Sequence, residues 1–163
     1  VRHALLALFW QDLVVDDEWE SPARTLTEAD IGFFAGLSGD YNPLHVDAEA
    51  AASGPFGGRV AHGLLGLAIA SGLASTAPRV RTLAFAGLHE WSFHRPIVPG
   101  DTLHVVSRVA AVEPQSRGRR ALVTWHRRLV NQRGVVVQEG RIVTLVLGRP
   151  PEPTADLAPS PTD

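Results

Sequence analysis

Three zones of hydrophobic patterning divide the chain: apolar clusters broken by loops from Trp19 to Val60, an almost wholly apolar run from Ala61 to Ala77, and alternating or β-branched runs from Val80 to Leu147. In the first zone Thr27 is placed to cap a helix, with Asp30 at the capping-box position. Ile31, Phe33, Phe34 and Leu37 supply its apolar face and Gly39 stops it. Asn42-Pro43 cannot continue a helix, so Ser38 to Asp47 is expected to be rich in turns. An Ala-rich turn, Asp47 to Ser53, and a glycine-laden loop, Gly54 to Gly58, follow.

The second zone is expected to be a helix. Gly63, Gly66 and Gly72 each cost it about 1 kcal/mol relative to Ala, which a helix accepts where something approaches its backbone closely. Apolar on nearly every side, it should be buried all round. The third zone predicts strands over Leu83 to Phe93, Thr102 to Val112, Arg120 to Val130 and Val135 to Leu147, with turns at Val98 to Asp101, Gln115 to Gly118 and Asn131 to Gly134. One buried helix followed by long antiparallel strands, with one more strand near the start, describes an α+β fold in which the sheet wraps the helix.

Composition narrows the chemistry. The 163 residues, 45% of them hydrophobic, suffice for one domain with a sizeable core. The formal net charge of −2 argues against a nucleic-acid partner. All 15 basic residues are Arg, so no lysine chemistry is available, and the absence of Cys removes disulfides, thiolate nucleophiles and Cys-type metal sites. Ala4 to Trp10 is apolar and follows Arg2, but Gln11-Asp12 stand where a signal peptide needs small residues. Residues 1–12 are set aside as an uncertain extension, 13–148 as one domain. Residues 149–163, with five of the twelve prolines, are expected to be a disordered tail. No apolar stretch approaches the length of a membrane span, so no membrane partner and a cytoplasmic location are expected.

The densest polar cluster is Ser38-Gly-Asp-Tyr-Asn-Pro-Leu-His-Val-Asp47. Asp40 and His45 flank its Asn-Pro turn and can converge on one point. A carboxylate and an imidazole sharing a water form a general acid–base pair; the alternative is a turn in which Asp40 caps local N–H groups and His45 bonds a carbonyl. His62-Gly63 stands where the loop enters the apolar helix, so the Gly63 N–H is a candidate oxyanion donor. Gly63 required only for packing is the other possibility.

The Ser38–Asp47 cluster, then Phe56-Gly-Gly-Arg-Val-Ala-His-Gly-Leu-Leu65, resembles the signature of the MaoC-like dehydratases, the (R)-specific enoyl-CoA hydratases. Phe93-His-Arg-Pro-Ile-Val-Pro-Gly-Asp-Thr102 is similar to a later strand–turn–strand segment of that family, and the resemblance covers roughly Leu13 to Leu147. It implies a hotdog fold, a long central helix wrapped by an antiparallel sheet, with an overhanging helical and loop segment carrying the site. It implies that Asp40 and His45 are the catalytic pair, that Asn42 and His62 support them, and that the Gly63 N–H meets the thioester oxygen. It also implies that Ser71, on the central helix, lies near the site, and that the protein is a homodimer.

The activity implied is (R)-specific hydration of a trans-2-enoyl thioester of CoA or acyl-carrier protein, or the reverse dehydration. No cofactor is expected, coenzyme A being part of the substrate. Arg59, Arg79 and Arg81 are candidates for its phosphates, with solvated surface positions as the alternative. His89, Trp91 and Phe93 should share one strand face, with Glu90, Ser92 and His94 on the other, and this histidine spacing matches no metal site. A hotdog thioesterase and a catalytically silent hotdog subunit are the rival functions.

Overall fold

Residues 7–150 are described by a computed structural model of the chain. The sequence assignments for residues 1–6 and 151–163 lie outside them. Two short strands come first, β1 (Glu18–Glu20) and β2 (Arg24–Thr25), followed by helix α1 (Glu28–Ser38). Thr27 caps α1 as expected: its side chain accepts from the Asp30 N–H, and Asp30 accepts in return from the Thr27 backbone N–H at 2.8 Å. Gly39 ends the helix in the left-handed region (φ 76°), which glycine adopts without a Cβ penalty.

The expected turn segment contains two short helices, α2 (Pro43–Val46) and α3 (Ala48–Ala52). Proline cannot continue a helix but is suited to open one, because its missing N–H would have no helical acceptor at the first position. Asn42 caps α2 by accepting from Leu44 N–H, and Asp47 caps α3. The apolar face of α1 is narrower than the sequence suggested. Ile31 and Ala35 are buried and Phe34 is half-buried, whereas Phe33 and Leu37, one turn apart on a neighbouring stripe, are 76% and 73% exposed.

The central helix, α4, runs Gly63–Ala74. It lies on one face of an antiparallel sheet formed by β3 (Thr82–Phe93), β4 (Thr102–Gln115), β5 (Arg120–Asn131) and β6 (Val136–Leu147). The strand order is β1-β4-β5-β6-β3, with β2 also on β4. Alternate positions point at the helix: Leu103 and Val105 on β4, Leu129 on β5 and Val137 on β6 join Leu65, Ile69, Ala70 and Ala74 in one core. Each Leu, Ile or Val side chain so buried contributes about 1.5–3 kcal/mol. A second cluster, centred on Trp125 with Leu13, Val109, Val123 and Val146, closes the other end.

Gly66 explains how α4 comes so close to the sheet. A Cβ there would fall 2.2 Å from Gln138 Nε2 and 2.8 Å from Ile97 Cδ1, so only glycine fits. Burial all round is not what α4 shows. Leu64 is 60% exposed and Ala68, Gly72 and Ser75 are exposed, because sheet and α1 cover only part of its circumference. Strand β3 departs from strict alternation as well. Glu90 has φ 52° and the register with β6 shifts between His89 and Ser92. This bulge sends His89 to the face away from the helix, beside Leu122, Thr124 and Arg141, while Trp91 packs into the core.

Candidate active site

The two expected polar groups meet at the start of α4. The side-chain donor atoms of Asp40, His45 and His62 all lie within 4.8 Å of one another. Asp40 is in the loop after α1, where Asp40 Oδ1 accepts from Asn42 N–H at 3.2 Å and so tightens the turn. Its side chain is about half exposed, at the rim of the site.

His45, at the end of α2, is half-buried, and its Nδ1 lies 2.7 Å from the carbonyl of Val60. A carbonyl oxygen only accepts, so Nδ1 carries a proton, and the tautomer this selects presents its lone pair at Nε2. By the same logic His62 Nε2 donates to the Asp40 carbonyl at 2.9 Å. That bond ties the Asp40 loop to the N-cap of α4. His62 is buried, stacks on His45 with ring centroids 3.8 Å apart, and leaves its Nδ1 without a partner. Three such donors could hold a cation. The stacked rings, however, direct their remaining lone pairs along nearly parallel planes rather than at one point.

His45 opens onto a cleft of about 330 Å³ whose walls include Leu44, Phe56, Gly63, Phe93, Arg95 and Gln138. Gly63 is the first residue of α4. Both Leu65 N–H and Gly66 N–H turn to the His62 carbonyl, while Gly63 N–H has no acceptor within the helix. A Cβ on Gly63 would come within 2.9 Å of the Phe93 ring, so the helix start is pressed against the wall of the cleft. Gln138 fixes that start from below: its Nε2 donates to the Gly63 carbonyl at 3.0 Å, and its Oε1 accepts from Trp91 Nε1 at 3.1 Å.

The remaining sequence candidates fall elsewhere. Ser71 lies two turns along α4 and lines a different pocket, with Arg127 and Phe85. Arg59 is paired with Glu28. Arg79 and Arg81 flank Leu8 through backbone hydrogen bonds, at the end of β3 opposite Phe93. Arg95, inside the Phe93-His-Arg-Pro segment, lines the cleft, as do Phe93 and Gln138, and the sequence reading names none of the three as a site residue. The Pro99-Gly100-Asp101 turn of that segment is structural. Asp101 is buried, accepts from Val98 N–H and Gln132 Nε2, each at 3.0 Å, and so pins the turn.

Arranged this way, the site can hold one water between a carboxylate and an imidazole, with Gly63 on the wall of the adjoining cleft. The chain matches the model of the MaoC like domain over residues 13–127. It is 37% identical over 123 residues to protein MaoC of Klebsiella aerogenes, covering 74% of this chain and 37% of that protein. It is 31% identical over 144 residues to an (R)-specific enoyl-CoA hydratase of Rhodospirillum rubrum, covering 88% and 96%. The chain thus spans less than half of the first relative and nearly all of the second; of the 3-hydroxyacyl-thioester dehydratase Z of Mycobacterium tuberculosis it spans 64%, at 34% identity over 58% of its own length. Among solved structures it is similar to the MaoC-like dehydratase of Rhodospirillum rubrum, with a TM-score of 0.81, 39% identity and coverage of 89% and 100%. A Mycobacterium tuberculosis protein with a double hotdog fold superposes with a TM-score of 0.78 at 20% identity, over 92% of this chain and 46% of that one, and the architecture is accordingly a hotdog. By these likenesses the chain belongs to the MaoC-like domain family.

Proposed function

We propose that the protein catalyses the reversible syn addition of water to a trans-2-enoyl thioester, the (R)-specific hydratase or 3-hydroxyacyl-thioester dehydratase reaction. The observation that carries this is the convergence of Asp40 and His45 within one water's reach beside a cleft lined by His45 and Gly63. Asp40 and His45 hold the water; its oxygen bonds to Cβ and a proton goes to Cα on the same face, so the carbon–carbon π bond is replaced by C–O and C–H bonds. Negative charge gathers transiently on the thioester oxygen, where the Gly63 N–H stabilises it. No cofactor enters this scheme, and the acyl carrier, CoA or a carrier protein, is part of the substrate.

We place the protein in the cytoplasm and infer that it works as a homodimer. No helix among the described residues is long and apolar enough to cross a membrane. Among the described residues one edge of β3 is unpaired along its 12 residues, and the strand carries Leu83, Phe85, Leu88 and Phe93, all between 41% and 56% exposed. An apolar free edge invites pairing, and a two-fold axis satisfies it with one patch used twice. Antiparallel pairing over the full strand sets Thr82 opposite Phe93 of the partner subunit. Arg79 and Arg81 then approach the partner's cleft, where Arg95 already stands, and cations suited to CoA phosphates gather there. Leu88→Lys is expected to halve the mass measured by light scattering; an unchanged mass would remove this edge from the interface.

Crotonyl-CoA tests the activity. Hydration removes the enoyl absorbance without releasing thiol, and the product is oxidised by an (R)-specific but not an (S)-specific 3-hydroxyacyl-CoA dehydrogenase. Release of free thiol would mark a thioesterase, and no change would mark a catalytically silent subunit.

A further inference from the structure

A cationic side chain that the proposed reaction does not use lies at the far end of α4. Arg127 belongs to the row of β5 residues that faces the helix, in phase with Val123, Trp125 and Leu129, and is 8% exposed. Its neighbours across the sheet are Ser107 on β4 and Gly140 on β6. Ser107 Oγ is itself buried without a partner, and Gly140 offers no side chain. Arg127 Nε has no hydrogen-bond partner. Among the described residues no carboxylate pairs with the guanidinium, whose guanidinium carbon stands 5.6 Å from the centre of the Trp125 ring. Burial lowers it to about 10. An unpaired charge in such a place is strongly unfavourable unless something satisfies it.

Arg127 borders a pocket of about 200 Å³, separate from the cleft of His45 and sharing no residue with it. Ser71 and Thr144 put hydroxyls on its wall. Thr144 Oγ1 already accepts from Trp125 Nε1, which leaves its own O–H to donate. Ser75 and Thr82 also line it, and Ala74, Pro78, Val80 and Phe85 supply the apolar part of the wall. We propose that this pocket is a binding site for a carboxylate on a short aliphatic body, with the carboxylate on Arg127 and the hydroxyls, and the chain against Val80 and Phe85.

Charge argues for a monoanion. One guanidinium balances one negative charge, and among the described residues no second cation lines the pocket. Ala74 and Ser75 bring the C-terminal end of α4 to the same wall, and that end of a helix dipole disfavours a doubly charged guest. The carboxylate has two possible sources. One is a free short-chain acid. The other, which rests on the hydratase and dimer proposed above, is the distal carboxylate of an acyl thioester seated in the partner's cleft, since full-length β3 pairing brings Thr82 and Phe85 beside it.

The binding test needs no activity. Butyrate is titrated into the wild-type protein at constant ionic strength, with chloride as the replaced anion, while the Arg127 Nε–H resonance and the melting temperature are followed. A ligand that binds only the folded state raises the melting temperature as it saturates. A saturable shift of that resonance with a rise in melting temperature is expected, together with at least a tenfold weaker response in Arg127→Met. That variant removes a buried charge and keeps the side chain's length, so it is expected to fold. If it does not, the wild-type resonance and Ser71→Ala, which should weaken binding, still decide. No saturable response to butyrate would overturn the site, leaving Arg127 as a counter-charge to the end of α4. Inorganic phosphate binding as tightly as butyrate would overturn the carboxylate assignment.

Kinetics then separate the sources. If the acyl tail is the ligand, Arg127→Met raises KM for an enoyl-CoA ending in a carboxylate at least tenfold and leaves crotonyl-CoA unchanged. If the free acid is the ligand, both substrates are unaffected and the butyrate response stands alone. Absence of all turnover would remove the hydratase assignment while leaving the butyrate result intact.

Discussion

Gln138 and Gly63, 75 residues apart, are joined by a hydrogen bond from the Gln138 side chain to the carbonyl of the first residue of the central helix. The same side chain accepts from Trp91, so one buried amide links β6, β3 and α4 beneath the proposed oxyanion donor. Gln138→Leu leaves the Trp91 N–H and the Gly63 carbonyl without this partner. The Gly63 carbonyl keeps its place in the α4 hydrogen-bond ladder, so the expected loss, about 1–3 kcal/mol, is that of the stranded Trp91 N–H. Chemical denaturation should show it as a lower midpoint with an unchanged slope. If the amide also positions the helix start, kcat should fall in protein that is still folded.

Asp40→Asn and His45→Gln are each expected to lower kcat by at least about 10²-fold, the low end for lost acid–base catalysis. Neither side chain belongs to the buried core, so melting temperatures should stay near wild type. Steady-state hydration of crotonyl-CoA is the measurement, and near-normal turnover by either variant would release that residue from the mechanism.

Gly63 is tested through its backbone. His62, at φ −56° and ψ 137°, already has the conformation that a residue before proline prefers, so Gly63→Pro is compatible with the chain there. The new ring atoms would crowd Phe93, so the substitution is made together with Phe93→Leu. The double variant is expected to lose about 10²–10³-fold in kcat relative to Phe93→Leu alone. Gly63→Ala with Phe93→Leu keeps the N–H and should lose less. Circular dichroism must first show native helix content; wild-type turnover by folded Gly63→Pro protein would leave Gly63 a packing residue.

The cap of α1 gives a pH-dependent prediction. Burial by itself raises the Asp30 carboxyl, but hydrogen bonds from Thr27 and the nearby Arg24 outweigh it and hold it below the ordinary 3.8. A carboxylate with a lowered folded value adds stability that is fully present above its unfolded value and is lost as pH falls through the folded one. The melting-temperature gap between wild type and Asp30→Asn should therefore be steady above about pH 5 and close below 3.8. Thr27→Ala should cost about 0.5–2 kcal/mol at neutral pH.

Much of this molecule is written locally. The Thr27–Asp30 cap, the stop at Gly39, the break in helix at Asn42-Pro43 and the four long strands each depend on residues within a few positions of one another, and a linear pattern records such neighbours. The Asp40–His45 pair is local too, because the short loop after α1 and the single turn of α2 bring both side chains to one place. What the tertiary structure decided is everything that depends on a distant partner. The resemblance marks His62, at the entry to the central helix, as a supporting residue; how it supports, by stacking on His45 and bonding to the Asp40 carbonyl, only the fold decides. Phe93 and Gln138 become walls of the cleft because β3 and β6 pair beneath α4. The bulge at Glu90 overrides alternation that looked regular, since register is set by the partner strand rather than by the strand itself. Arg127 did leave a trace, a charge in phase with Val123, Trp125 and Leu129. In sequence it reads as one member of a polar run, and its burial without a counter-charge follows only from the helix packed over it.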